Sequence, residues 1–490
     1  MRQFPKYPAT ILTGIVIIMI ASSKICVSQN KAVYKPVIEP CECQFKIDSS
    51  FRTRCGYLVV PENRNKNNNK RIRLPFIQVF SKDPNKRKDP VLFTGGGPGG
   101  SSLSWVRSVP NRSIIANRDC IAFEQRGTSF ALPNLWSNEL MDAIRESYRK
   151  NLNKDSMMLE GVRQYKKALE KKHIDLTGYN TDETVSDIHD LLTALQIDSE
   201  NLFGVSYSGG LMMAVLQKDP TRIRSLVLDS PLPTFVPIDE DEPANFGEAL
   251  NVLFRQVEKD STDKTMYGNL KERFEQYFTS IGNKTFYISY QDKGKTTSVN
   301  IQYSRNDLLQ VIIDNIFDHP KIKDVPYIIT EMIRGNHQRY IKNLLDHILN
   351  NGGAPSGMRL SVYCADQTAY HSETVIKELY NVYPYLQGYR INDVYKELCD
   401  CWKVPPIQPR TKQPYYSLKP VLLGAGEMDP ACNPLYNDMI HHYMPNSQRL
   451  LYSNRSHGVF GGKEGDAIIR QFLDQPFKKV EVANGQIKIY

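Results

Sequence analysis

The stretch Asn201-Leu-Phe-Gly-Val-Ser-Tyr-Ser-Gly-Gly210, running on into Leu-Met-Met-Ala-Val-Leu, constrains the fold more than any other part of the chain. A short apolar run of strand-forming residues ends at a serine with small neighbours and passes without a loop into a helix-forming run. The backbone can make that junction only through a tight turn at Ser206, which throws the hydroxyl clear of the sheet. Larger neighbours would strike the next strand and helix. Ser206 is therefore the candidate nucleophile. Ser208 offers a second register with small residues on both sides, but Ser206 follows the strand directly and keeps Gly204 behind it.

The surrounding pattern repeats the alternation. Strands are expected at 56–61, 72–81, 89–94, 119–123, 201–205 and 224–229, rich in β-branched and aromatic residues. Apolar Val185, Ile188, Leu191, Leu192 and Leu195 recur at helical spacing over 181–195, behind the first-turn acids Asp182 and Glu183. After about residue 231 the alternation stops, and helical periodicity with many tyrosines runs to 415. It resumes with strands at 420–425 and 449–452 and helices at 435–443 and 466–473. Strands alternating with helices place the chain in the α/β class, with a mainly parallel central sheet covered on both faces. The 490 residues exceed one ordinary domain. The expected layout is a core over 29–230 and 416–475, a large, mostly helical cap insertion over 231–415, and a hairpin tail over 476–490 that turns at Asn484-Gly485. The cap would lie over the carboxyl ends of the strands, where ligands bind in such sheets.

A serine hydroxyl needs a base within hydrogen-bond reach and a carboxylate to orient that base. On an α/β-hydrolase fold the chain order is serine, acid, histidine. Asp429, in Gly424-Ala-Gly-Glu-Met-Asp-Pro430, and His457, in Ser456-His-Gly-Val-Phe-Gly461, follow strands in that order. Glu427 is the competing acid. His441, His442 and His189 fall in expected helices. His173, His319, His337, His347 and His371 precede the elbow or lie in the insertion, the wrong order for a triad. The oxyanion of an acyl-transfer intermediate needs two backbone N–H groups. Tyr207 supplies one, and the run Gly95-Gly-Gly-Pro-Gly-Gly100 supplies the other, from Gly97 or alternatively Gly96. This chemistry needs no metal or organic cofactor.

The N-terminus couples Arg2 and Lys6 to an uncharged, apolar segment ending near Ser23, so residues 1–28 read as a secretory signal peptide and the product as secreted or periplasmic. Membrane contact is expected only if that segment stays uncleaved. The net charge of +9 is not clustered with aromatic residues, which argues against nucleic acid as a partner. Beyond Cys26 the cysteines are Cys41, Cys43, Cys55, Cys120, Cys364, Cys399, Cys401 and Cys432, an even number that suits disulfides in an exported chain. Cys41 or Cys43 can pair with Cys55, and Cys364 with Cys399 or Cys401.

The glycine run with Glu124–Thr128, the Gly-Val-Ser-Tyr elbow and the Asp429-Pro and His457-Gly loops resemble the prolyl aminopeptidase and tripeptidyl aminopeptidase family of α/β-hydrolase serine peptidases. The resemblance spans roughly 40–230 and 415–475. It implies an exported serine peptidase that releases residues or short peptides from the free N-termini of peptide substrates through an acyl-enzyme. It also implies an arginine, Arg126, that braces the site, and cap acids that bind the amino group, for which Glu240 and Glu242 in the run Asp239-Glu-Asp-Glu242 are the candidates. A carboxylesterase-type hydrolase using the same triad is the alternative.

Overall fold

Strands that are buried along their whole length form the middle of the molecule. A computed structural model describes residues 34–66, 68–350, 356–483 and 485–490. The expected signal peptide over 1–28, with Cys26, lies outside the described residues. In chain order the strands are Val37–Pro40 (β1), Thr53–Pro61 (β2), Arg71–Val79 (β3), Val91–Thr94 (β4), Cys120–Phe123 (β5), Glu200–Val205 (β6), Ile223–Asp229 (β7), Phe286–Gln291 (β8), Ser298–Tyr303 (β9), Val421–Gly426 (β10), Ser447–Tyr452 (β11) and Ile487–Ile489 (β12). Ten of them join in one sheet ordered β1-β2-β3-β5-β4-β6-β7-β10-β11-β12, while β8 and β9 make a separate hairpin. The run from β5 through β11 is parallel, and β1, β2, β3 and β12 add antiparallel edges. β4, β5 and β10 have no exposed residue, as expected of parallel strands covered on both faces.

One face of the sheet packs Phe93, Trp105, Phe203, Leu422 and Leu450 against Ile468, Ile469 and Phe472 of the helix Gly462–Asp474. The Phe93 and Trp105 rings stack with centroids 4.7 Å apart. The helices that matter most for the site are Glu139–Lys150 (α1), Lys154–Lys171 (α2), Thr181–Leu195 (α3), Tyr207–Lys218 (α4) and Ile238–Lys259 (α5). α3 starts where Asn180 caps it, its side chain accepting the Glu183 N–H at 3.0 Å. α4 is apolar almost all round and lies buried, as its sequence demands.

The insertion has a core of its own, built on Phe246, Phe274, Phe278, Leu308, Ile312 and Tyr385. It is mainly helical but also carries the β8–β9 hairpin. The helical layer also recruits α1 and α2 from the first core segment. Tyr165 of α2 packs on Trp402 with ring centroids 5.4 Å apart, and Trp402 donates to Ser361 Oγ at 2.8 Å.

Two expectations are corrected. Among the described residues of the tail, β12 has no partner strand within the tail and pairs antiparallel with β11 instead, Leu450 opposite Ile489; Asn484 of the expected turn lies outside the described residues. The eight cysteines are not all paired either. Cys43 bonds Cys55 and Cys364 bonds Cys399, while Cys41, Cys120, Cys401 and Cys432 remain thiols. Cys120 is buried in mid-sheet on β5, and Cys432 is buried near the carboxyl edge beside Ser206, so among the described residues these two have no cysteine partner to meet.

Candidate active site

Ser206 links β6 to α4 with φ 57° and ψ −127°, a conformation that costs a non-glycine residue energy and persists only when its surroundings impose it. Three backbone bonds do so: Ser206 N–H to Asp229 O at 2.9 Å, Gly209 N–H to Ser206 O at 2.8 Å and Leu232 N–H to Ser206 O at 3.0 Å. The turn closes only because Gly204 is bare, since a Cβ there would lie 2.3 Å from Ser208 O. Ser208 faces inward and is fully buried. Its hydroxyl donates to Gly95 O and accepts from Thr94 Oγ1 at 2.9 Å and Gln125 Nε2 at 3.2 Å, so the second register offers no free hydroxyl.

Asp429 follows β10 and His457 follows β11, and Asp429 Oδ2 meets His457 Nδ1 at 2.8 Å. The other carboxylate oxygen accepts the Ala431 and Cys432 N–H groups at 2.9 and 2.8 Å. Glu427 instead accepts from Gln256 Nε2 at 3.4 Å. Burial pulls the His457 pKa down, but the charge of Asp429, its hydrogen bond and the charge of Asp229 more than offset this and raise it above the ordinary histidine value. Ser206 Oγ lies 4.0 Å from Cys432 Sγ in this conformation and is not hydrogen-bonded to His457. Such contacts commonly tighten when substrate binds.

Asp229, at the end of β7, is a residue that sequence reasoning missed. Its buried carboxylate accepts the Val459 N–H at 2.7 Å and the Phe460 N–H at 3.0 Å, and so anchors the loop carrying His457. Burial raises its pKa, against the pull of those two N–H groups. The available signal was an acid closing the apolar strand Leu226-Val-Leu-Asp229.

The glycine run approaches the elbow so closely that a Cβ on Gly96 would lie 2.6 Å from Val205 O. Gly97 has φ +119°. The run is held from below by Glu124, which accepts from Ser102 N–H at 2.9 Å, Leu103 N–H at 3.2 Å and Ser101 Oγ at 3.1 Å. From above, Arg359 of the cap donates to Gly97 O at 3.0 Å. Tyr207, as the first residue of α4, has an N–H without an intrahelical acceptor. Arg126 is fully buried and clamps Asp187 through two 2.7 Å bonds, away from the cavity.

These groups open onto one cavity of about 530 Å³, lined by Gly96, Gly97, Ser206 and His457 from the core and by Glu242, Phe317, Arg359 and Asn392 from the cap. Glu242 accepts the Asn392 N–H at 2.5 Å. Burial, with the nearby charge of Asp239, pushes its pKa up to about 8. Glu240 does not line this cavity: its carboxylate accepts the Ser372 N–H at 2.6 Å. Asp239 is engaged with His371 Nδ1 at 2.9 Å and Asn392 Nδ2 at 3.1 Å. Asp239, Glu240 and Asp241 of the acidic run thus lie in the first turn of α5, where negative charge is favourable. Among the described residues, no cluster of three His, Cys, Asp or Glu side chains is arranged to hold a metal ion.

Residues 89–263 match the α/β hydrolase fold family, and residues 383–483 match the TAP-like protein family. Tripeptidyl aminopeptidases of Streptomyces lividans and Streptomyces coelicolor are each 26% identical over 202 residues, covering 39% of this chain and 37% of the relative. The chain therefore aligns with little more than a third of the length of these curated relatives. Proline iminopeptidase of Mycobacterium smegmatis aligns over 86% of this chain and 98% of its own at 14% identity, with a TM-score of 0.40.

Proposed function

We propose that this chain, which has the α/β-hydrolase fold and is similar to tripeptidyl aminopeptidases, is a serine peptidase that releases residues or short peptides from free N-termini. The observation that carries this reading is the 2.8 Å Asp429–His457 bond opening onto the same cavity as a serine held at positive φ. Ser206 Oγ attacks the scissile carbonyl as His457 takes its proton. His457 then protonates the leaving amine, and water hydrolyses the acyl-enzyme by the same route. Asp429 fixes the imidazole tautomer and stabilises its cation. The N–H groups of Tyr207 and Gly97, or Gly96, receive the oxyanion.

Glu242 is the group we propose for the substrate ammonium, since it is the cap carboxylate that faces the cavity. This feature favours peptides over the esters of a carboxylesterase, which have no cation to hold. Two disulfides support an exported, secreted or periplasmic enzyme. The test is turnover of tripeptidyl and aminoacyl amides, free and N-acetylated, beside short acyl esters. Cleavage of free amides, lost on acetylation and in Ser206→Ala, is expected. Ester turnover with no amide cleavage would reject the peptidase.

A further inference from the structure

The loop that carries His457 is held from two sides. On the core side, Asp229 binds Val459 and Phe460, and Ser230 Oγ accepts the Gly458 N–H at 3.0 Å. On the cap side a second histidine takes over. His319, in the turn after the helix Arg305–Phe317, accepts the Ser456 N–H on Nδ1 at 3.1 Å and reaches Gly458 O with Nε2 at 3.0 Å. Ser456 and Gly458 are the two residues flanking His457. An N–H faces one ring nitrogen and a carbonyl the other, so a single neutral tautomer, with its proton on Nε2, satisfies both bonds. Two residues earlier, Phe317 sets its ring edge-to-face with the His457 ring, centroids 5.9 Å apart.

We infer that His319 is a positioning residue for the chemical step: a cap imidazole that clips the backbone on either side of His457 and so fixes where that ring's free nitrogen points. This rests on the reading in which His457 serves Ser206. The Asp429 bond restrains one nitrogen of the ring, but the ring's root moves with the main chain. A displacement of about 1 Å at such a site costs on the order of 100-fold in rate. The cap would then contribute to catalysis itself as well as to access.

The experiment compares His319→Ala, His319→Asn and His319→Gln in the full chain, reading kcat, KM, the rate of fluorophosphonate labelling and the melting temperature. Ala is expected to lower kcat and labelling together by about 10- to 100-fold while KM stays within about threefold. Asn keeps an acceptor near the Nδ1 position and Gln a donor near the Nε2 position, so each should recover part of the loss. The inference is overturned if kcat and labelling are unchanged while only melting falls, or if KM alone rises. Should the Ala variant not fold, wild-type kcat in both folded amide variants overturns it equally. Ser206→Ala is run alongside. Labelling that survives in that variant would reject Ser206 as nucleophile, a failure distinct from an unaffected His319 series.

Discussion

His457 is subject to opposing influences, and the balance has a kinetic signature. Burial favours the neutral ring, but Asp429 and Asp229 together favour the cation and win, so the pKa is raised. A base works only when unprotonated, so a raised pKa moves the acid limb of kcat/KM to higher pH. That limb should lie above the ordinary value of about 6.5. Asp429→Asn should shift it downward and cut kcat by on the order of 10³- to 10⁴-fold, measured as a pH–rate profile of both proteins. Glu242 gives a second titration. With a pKa of about 8 it holds its proton at pH 6 and, in the proposed ammonium-binding role, must lose that proton to pair with the substrate amine. Peptide binding to the inert Ser206→Ala protein should therefore release about one proton at pH 6. Affinity should rise from pH 5 towards 8, then fall as the peptide amine, with its own pKa of about 8, loses charge. Calorimetry in buffers of different ionisation enthalpy reads both effects, and Glu242→Gln should abolish them.

At the level of elements, the elbow is a junction with no slack. Gly204→Ala would place a methyl group against the first turn of α4, where the obstacle is backbone that cannot rotate away. A loss of about 1–3 kcal/mol in denaturant unfolding is expected, with activity falling further than stability because Ser206 must shift. This junction was readable from the sequence because its requirement is local: small residues at fixed offsets. α3 was readable for the same reason, through Asp182 and Glu183 in its first turn and an uninterrupted apolar stripe. The helix Gly462–Asp474 begins four residues before its expected start. Gly462 and Gly465 are poor helix formers, and the first turn is tolerated because Gly465 packs directly on the Phe460 backbone. The acidic run was harder still. α5 is buried over most of its surface, so periodicity could not say that Glu242 faces the cavity while Glu240 turns to Ser372. Nor could it place α1 and α2 in the helical layer, because the partner of Tyr165 is Trp402, from the far end of the insertion.

Across the whole molecule, the Cys364–Cys399 bridge staples the region where the cap returns towards the core, closing a loop with a sequence separation of 35. By loop-closure entropy a bridge of that span stabilises by about 4 kcal/mol. The double variant Cys364→Ser/Cys399→Ser should lose up to that amount in denaturant unfolding, and reducing agent should cost the unmodified protein at least as much, because it also opens Cys43–Cys55. The glycine run, Ser206, Asp429 and His457 each come from the carboxyl end of a different parallel strand. The chain order of those loops could be read directly, whereas the contacts the cap makes on them, from Arg359 and His319, depend on tertiary placement.

The sheet order has one more consequence. β7 and β10 are neighbours, with Leu226 beside Val421, yet the entire cap is made between them. While the polypeptide emerges, the half-built sheet presents β7 as a raw margin of unpaired amides and carbonyls, the kind of surface that recruits other chains. Newly made molecules must be kept apart through that interval, by a chaperone or by the cap's own early collapse, before there is any enzyme to regulate.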